Sequence, residues 1–199
     1  MCPSRRQKES VDVNELLSPE REPRRYELIV LQHPEIARAS SSTERDRRVV
    51  DPPTILQLKI YDKKGLIDDS ALRSPYWVVQ ALLQGNYDKP ASQLLQGQLT
   101  SSASYVTNGF AHSAGCYFYF SDLAITEPGV YHLKYILTTV YAFPGTANEL
   151  PVLAESFSKP IRASLPKDFP GMSASSELAK SLAEHSVGLS IRNMDYRNR

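Results

Sequence analysis

Apolar and polar residues alternate most clearly between Val130 and Tyr141. Tyr131, Leu133, Tyr135, Leu137 and Tyr141 fall on one side, and His132, Lys134 and Thr138 on the other. A period of two predicts a β-strand with one buried face. The same reasoning predicts strands at Tyr26–Leu31, which stops at His33-Pro34, and at Thr54–Tyr61, with Leu56, Leu58 and Ile60 on one face. Tyr76–Leu83 starts after Pro75 and closes at Gly85-Asn86. Cys116–Phe120 is an aromatic run, a composition that fits a pleated, half-buried surface. Shorter strands are expected at Leu94–Thr100 and Ser104–Thr107, around Gly97, and the last at Val152–Ile161.

Between these segments the chain is punctuated. Residues 37–53 are polar and end in Pro52-Pro53, which predicts a loop, and Asp62–Gly65 is a turn. Past Pro166 and Pro170-Gly171, Ser173 is placed to cap a helix running to about Val187, with Glu177 near its start and Gly188 just beyond its end. Leu178, Ala179, Leu182 and Ala183 give that helix a narrow stripe. Such a stripe either packs on the chain's own sheets or offers a partner surface, and its narrowness favours packing. Short strands followed by one helix predict a mainly β fold, an antiparallel β-sandwich, rather than a parallel α/β sheet. Residues 1–24 are rich in Arg, Glu, Ser and Pro and read as a flexible N-terminal tail.

Composition narrows the function classes. Lys and Arg number 23 against 22 Asp and Glu, a formal net charge of +1. That balance excludes a strongly basic, histone-like nucleic-acid binder but leaves room for a local basic patch. The 41% of hydrophobic residues suffice for a core. Cys2 and Cys116 are the two cysteines, so a disulfide framework is not expected and a reducing compartment fits. The polar start shows no secretory signal. The uncharged stretch Pro90–Ser121 is too polar to cross a bilayer, so a soluble, intracellular protein without membrane contact is expected.

Catalytic and metal chemistry finds little support. His112 and Cys116 stand alone where a structural zinc site needs four ligands, and Cys116 opens a strand where a buried inert thiol is the ordinary outcome. Asp68-Asp69 reads as a solvated loop, and His132 as an exposed or half-buried strand histidine. No phosphate-loop, dinucleotide, nucleophile-elbow or zinc-protease motif occurs. No catalytic residue, cofactor or metal is assigned, and an enzyme is not expected. One cluster remains. Arg38, Arg45, Arg47 and Arg48 face only Glu44 and Asp46 between residues 38 and 48, four positive charges against two negative, a local +2. Sandwich loops commonly contact partners, and arginine suits phosphate oxygens and guanine edges. The residues alone favour the plainer reading, a solvated loop with internal Arg–acid pairs.

Seven ordered blocks resemble the fungal velvet domain. They are Tyr26-Glu27-Leu28-Ile29-Val30 with Gln32-His33-Pro34-Glu35 and Ala37-Arg38-Ala39; Asp46-Arg47-Arg48 with Asp51-Pro52-Pro53 and Ile55-Leu56-Gln57-Leu58; Pro75-Tyr76-Trp77-Val78-Val79; Gly97-Gln98-Leu99-Thr100-Ser101-Ser102; Gly115–Leu123; Gly129–Tyr135; and Phe169-Pro170-Gly171-Met172-Ser173 with Ser175-Ser176-Glu177-Leu178. The resemblance places one domain at residues 25–193, followed by a short tail at 194–199. It implies an immunoglobulin-like, Rel-homology-like sandwich. It also implies a nuclear transcription regulator of fungal development, sporulation and secondary metabolism. Such a regulator binds double-stranded DNA as a homodimer or as a heterodimer with another velvet protein. By the family's basic loop before Asp-Pro-Pro, DNA contact is expected from Arg45, Arg47 and Arg48, with Arg38 contributing. A velvet-type interaction partner that modulates another velvet protein without touching DNA is the alternative. The loop departs from the family pattern at Ser40–Glu44, where relatives often carry glycines and further lysines, and at Thr54 in place of a third proline.

Overall fold

The computed structural model describes residues 24–39, 47–85, 87–107, 114–140, 150–185, 189 and 191–192. Two β-layers enclose one core. The first layer has strand order β1-β3-β8-β7, built from β1 (Arg25–Gln32), β3 (Thr54–Tyr61), β7 (Ser104–Val106) and β8 (Gly115–Phe120). The second has order β2-β12-β10-β4-β6, built from β2 (Ile36–Arg38), β4 (Trp77–Gln84), β6 (Thr100–Ser102), β10 (Gly129–Thr139) and β12 (Ile161–Ser164). A further strand, β11 (Ala154–Phe157), also pairs with β10, and β5 (Leu95–Gln96) with β9 (Ala124–Ile125) forms a small ribbon. The expected mainly β sandwich with a C-terminal helix is the observed fold.

The period-two segments supply the core. Leu56, Leu58 and Ile60 of β3 and Phe118 and Phe120 of β8 are buried against Val79 and Ala81 of β4 and Leu133, Tyr135 and Leu137 of β10. Burial of side chains of this size stabilises by roughly 1.5–3 kcal/mol each before entropy is counted. The polar tips of Tyr135 and Trp77 are satisfied inside this core. Tyr135 Oη lies 2.7 Å from Thr54 Oγ1, and Trp77 Nε1 donates to the Ala71 carbonyl at 2.8 Å. Cys116 is fully buried, and desolvation pushes its thiol up to about 12. Thiolate is the reactive form, so Cys116 is expected to resist alkylation in the native protein at mildly alkaline pH and react once denaturant is added. Peptide mapping after iodoacetamide treatment checks this; native-state labelling at Cys116 would refute it.

Several local expectations change. Residues 36–38 include no loop but the strand β2, which runs parallel to β12, with Ala37 opposite Ala163. Three residues are too few to show a period, and the pairing partner lies far along the chain. The single strand expected over Val152–Ile161 is two strands. Pro160 lacks a donor, and Ser158 turns inward instead: its N–H donates to the Leu133 carbonyl at 2.8 Å while its Oγ accepts from the Leu133 N–H at 2.9 Å. The segment expected at Leu94–Thr100 is broken into β5 and β6 by a turn at Gly97. Asp68-Asp69 starts a helix rather than a loop, with Asp69 exposed as expected and Asp68 half-buried. Asp68 Oδ1 caps a short helix, α1 (Asp69–Leu72), by accepting from the Ala71 N–H at 2.9 Å, and its other oxygen pairs with Arg24 at 2.8 Å.

A second one-turn helix, α2 (Ala91–Leu94), precedes β5. The C-terminal helix, α3, spans Glu177–Ala183 and is capped by Ser176, not Ser173; Ser176 Oγ accepts from the Ala179 N–H at 3.1 Å. Its Ala179 and Leu182 pack on Ile55, Val106 and Tyr117, on the outer face of the first layer. The stripe therefore packs on its own sandwich. Val187 and Gly188 lie outside the described residues.

Candidate functional site

The basic loop leaves β2 and returns at Asp51. Its two ends are stapled together: the Glu35 and Ile36 N–H groups donate to the Asp51 carbonyl at 3.0 and 2.9 Å, and the Asp51 N–H donates to the Ile36 carbonyl at 2.8 Å. Both ends of the loop are thus fixed at a sheet edge, the place from which sandwiches commonly present contact residues. Arg45, with the rest of residues 40–46, lies outside the described residues.

The other three arginines take different positions. Arg48 is exposed, and its Nη1 donates to the Arg47 carbonyl at 3.2 Å. Arg47 is half-buried, its Nη2 2.6 Å from Asp122 Oδ1 in the turn after β8. That contact anchors the returning limb, as does the Val50 N–H donating to the Leu123 carbonyl at 2.7 Å. Arg38 closes β2 opposite Ser164 and is half-buried. The fold therefore roots Arg38 and Arg48 on opposite limbs of one loop and ties Arg47 to a carboxylate.

The parallel pairing adds a residue that the loop pattern does not reveal. Ala37 and Ala163 turn inward, so Ile36, Arg38, Arg162 and Ser164 share the outer face of the β2–β12 pair. Arg162 is exposed there and borders a cleft of about 550 Å³ that Glu35, Ile36, Ser164 and Asp168 also line. The alternation of Ile161–Ser164 marks Arg162 as outward-facing, but nothing local in the sequence places it beside Arg38. Nearby, burial and the Lys159 charge hold His33 below its ordinary value. Its neutral Nδ1 can accept from the Lys159 N–H at 3.2 Å.

Behind the loop sits a buried carboxylate. Asp51 has 2% of its side chain exposed; Oδ1 pairs with Arg192 Nη1 at 2.8 Å, and Oδ2 accepts from the Ser173 N–H at 2.6 Å. Gln32 extends the junction. Its Nε2 donates to the Pro53 carbonyl at 2.6 Å, and its Oε1 accepts from Ser176 Oγ. The Arg192 backbone N–H donates to Ser175 Oγ at 2.9 Å, and its carbonyl accepts from the Ser175 N–H at 3.1 Å. Among the described residues, no group of three or more His, Cys, Asp or Glu could hold a metal, and no helix is long and apolar enough to cross a membrane.

Comparison with known proteins gives this surface a context. Residues 26–93 and 82–196 match the family model described as "Velvet factor". The chain is 35% identical over 175 residues to the spore development regulator RYP2 of Ajellomyces capsulatus, covering 84% of this chain and 43% of that protein. It is 35% identical over 188 residues to the spore development regulator vosA of Beauveria bassiana, covering 86% and 67%. It is also 31% identical over 188 residues to the sexual development regulator umv3 of Mycosarcoma maydis, covering 84% and 45%. The chain spans roughly half the length of these relatives, between 43% and 67%.

Proposed function

The chain belongs to the velvet family, and from that premise we propose that it regulates fungal development by binding double-stranded DNA through the basic loop between β2 and β3. The relatives' names support the coarser part: they are named as regulators of spore and sexual development. The observation that carries the finer part is the loop itself. Its two ends are stapled at a sheet edge, with exposed Arg48 on its returning limb and Arg38 and Arg162 on the strand face beside it. In this reading the arginines neutralise phosphates, which sets register on the duplex, and one or two read guanine edges. Arg45 belongs to the same reading by its place in the motif.

A single module with so few contacts binds weakly. Pairing with a second velvet chain, the same or different, would put two loops on one duplex and raise avidity. Action on DNA would put the protein in the nucleus, and control of secondary metabolism follows from the same family reading. A second reading, as an interaction partner that never touches DNA, draws on another observation. Tyr76 and Val140 sit side by side, the Val140 N–H donating to the Tyr76 carbonyl at 3.0 Å, and their side chains are exposed. Leu150 and Val152 are exposed as well. Adjacent exposed apolar side chains such as Tyr76 and Val140 suit a protein surface.

Selection from a random duplex pool, followed by a salt titration of the enriched sequence, separates the two. Arg48→Ala is expected to weaken binding about three- to tenfold and to lower the magnitude of the log-affinity against log-salt slope by about one. Its melting temperature should barely move, since the side chain is exposed. Arg47→Ala should weaken binding at least as much, because it also leaves Asp122 unneutralised near the phosphates; the lost surface pair costs only about 0.2–1 kcal/mol of stability. Failure of the folded protein to retain any duplex, together with capture of a second velvet protein, would favour the interaction-partner reading.

A further inference from the structure

The buried Asp51 carboxylate belongs to the loop's base, yet the proposed DNA contact gives it no task. It lies three residues past Arg48, and its backbone closes the loop through Glu35 and Ile36. Its side chain enters a junction made by the C-terminal end of the domain: Arg192 Nη1 on one oxygen, the Ser173 N–H on the other. The Arg192 backbone is itself held by two hydrogen bonds with Ser175, one to its hydroxyl and one from its N–H, and Ser175 directly precedes the helix cap Ser176. The two side-chain anchors of the returning limb are therefore unequal. Arg47–Asp122 is half-open to solvent, whereas Asp51 is buried and held by Ser173 and Arg192, which with Ser175 form the C-terminal strap. A buried carboxylate must keep a partner, so the strap and the limb cannot move independently.

We infer that Arg192 is a positioning residue for the basic loop: by clamping the buried Asp51 carboxylate, the C-terminal strap fixes where the loop's returning limb, and with it Arg47 and Arg48, meets DNA. The inference rests on the reading of that loop as the DNA-contacting surface. It makes the strap a control point. Any partner that lifts Arg192 from Asp51 would loosen the loop and weaken DNA binding without touching a DNA-contacting residue.

The test uses the full chain and the enriched duplex from the selection above. R192Q removes the guanidinium charge. R192Q combined with D51N replaces the ion pair by a neutral amide pair of similar shape, in which the amide oxygen introduced by D51N can still accept from the Ser173 N–H. At a temperature where circular dichroism shows each variant folded, R192Q is expected to bind about tenfold more weakly. Amide exchange at Val50 and Asp51, measured without DNA, should accelerate about tenfold, as expected of a local opening. The double variant should recover most of both losses. If Arg192 instead touched phosphate directly, the double variant would stay as weak as R192Q, which overturns the inference. Unchanged exchange in R192Q also overturns it, since the clamp would then not hold the limb. Faster exchange with unchanged affinity overturns it too; Arg48→Ala then tells whether the loop reading survives, by weakening binding or not. Should R192Q not fold, R192K serves: a partial shift in both readouts supports the inference, and none in either refutes it.

Discussion

Asp51→Ala is expected to cost about 3 kcal/mol of stability, well above the cost of truncating an exposed loop side chain. The carboxylate is 2% exposed and satisfies two donors, Arg192 Nη1 and the Ser173 N–H. Truncation leaves the guanidinium without this partner and the amide without an acceptor. Breaking a fully buried pair costs about 3–5 kcal/mol; Arg192 is 34% exposed, so water recovers part of its loss and the lower end applies. For a chain of this size the melting temperature should fall by about 6–12 °C. Asp51→Asn retains an acceptor for Ser173 and should cost about half as much. Thermal melts of both variants check the order. An unchanged melting temperature in Asp51→Ala would show that the junction contributes little and that the domain's C-terminal end is held by α3 alone.

That junction also shows what the residues make visible and what they hide. The blocks Asp51-Pro52-Pro53 and Phe169–Ser173 stand out as separate signatures; the fold brings them into contact through Asp51 and the Ser173 N–H, 122 positions apart. No local pattern announces such a bond. Ser173 sits in this junction rather than at the helix start; the cap is Ser176, whose hydroxyl also reaches Gln32. By contrast β3 and β10 are legible almost to the residue, because each lies between two strands and its alternation is enforced along its length, and β8 is legible from its aromatic composition. Strand β2 is not, since it depends on β12 and on Asp51 rather than on its own three residues.

The candidate site is legible in composition and not in geometry. Four arginines near one another in sequence suggest one basic patch. The structure divides the three it describes: Arg48 faces solvent, Arg38 lies on a strand face, and Arg47 is committed to Asp122, 75 positions away. Long-range pairing of charges is invisible to a count of charges. Arg162 enters the same face for the converse reason. A lone arginine between Ile161 and Ala163 carries no signal until the parallel register sets it next to β2.

Gly97→Ala carries the second large effect and tests whether the turn holding Asp122 shapes the basic loop. Gly97 has φ +104°, a conformation that side chains other than glycine's rarely adopt, and a Cβ there would collide with the Asp122 carbonyl oxygen and stand 2.7 Å from its carbon. Both obstacles are backbone, so no rotamer change relieves them, and the 121–123 turn must shift. The expected cost is about 3 kcal/mol or more, from strained φ plus overpacking. Gly65→Ala is the control. Its φ is +78°, but nothing lies within 4 Å of the added carbon, so only the backbone strain of about 1 kcal/mol remains. The consequence for Gly97→Ala reaches further than stability. Asp122 holds Arg47, and the next carbonyl, that of Leu123, holds the Val50 N–H, so moving this turn loosens both outer anchors of the loop's returning limb. Gly97→Ala should therefore weaken duplex binding even at temperatures where it is folded, while Gly65→Ala leaves binding unchanged. Equal binding by both variants, with Gly97→Ala clearly less stable, would show that the Asp122 turn supports the fold without setting the loop.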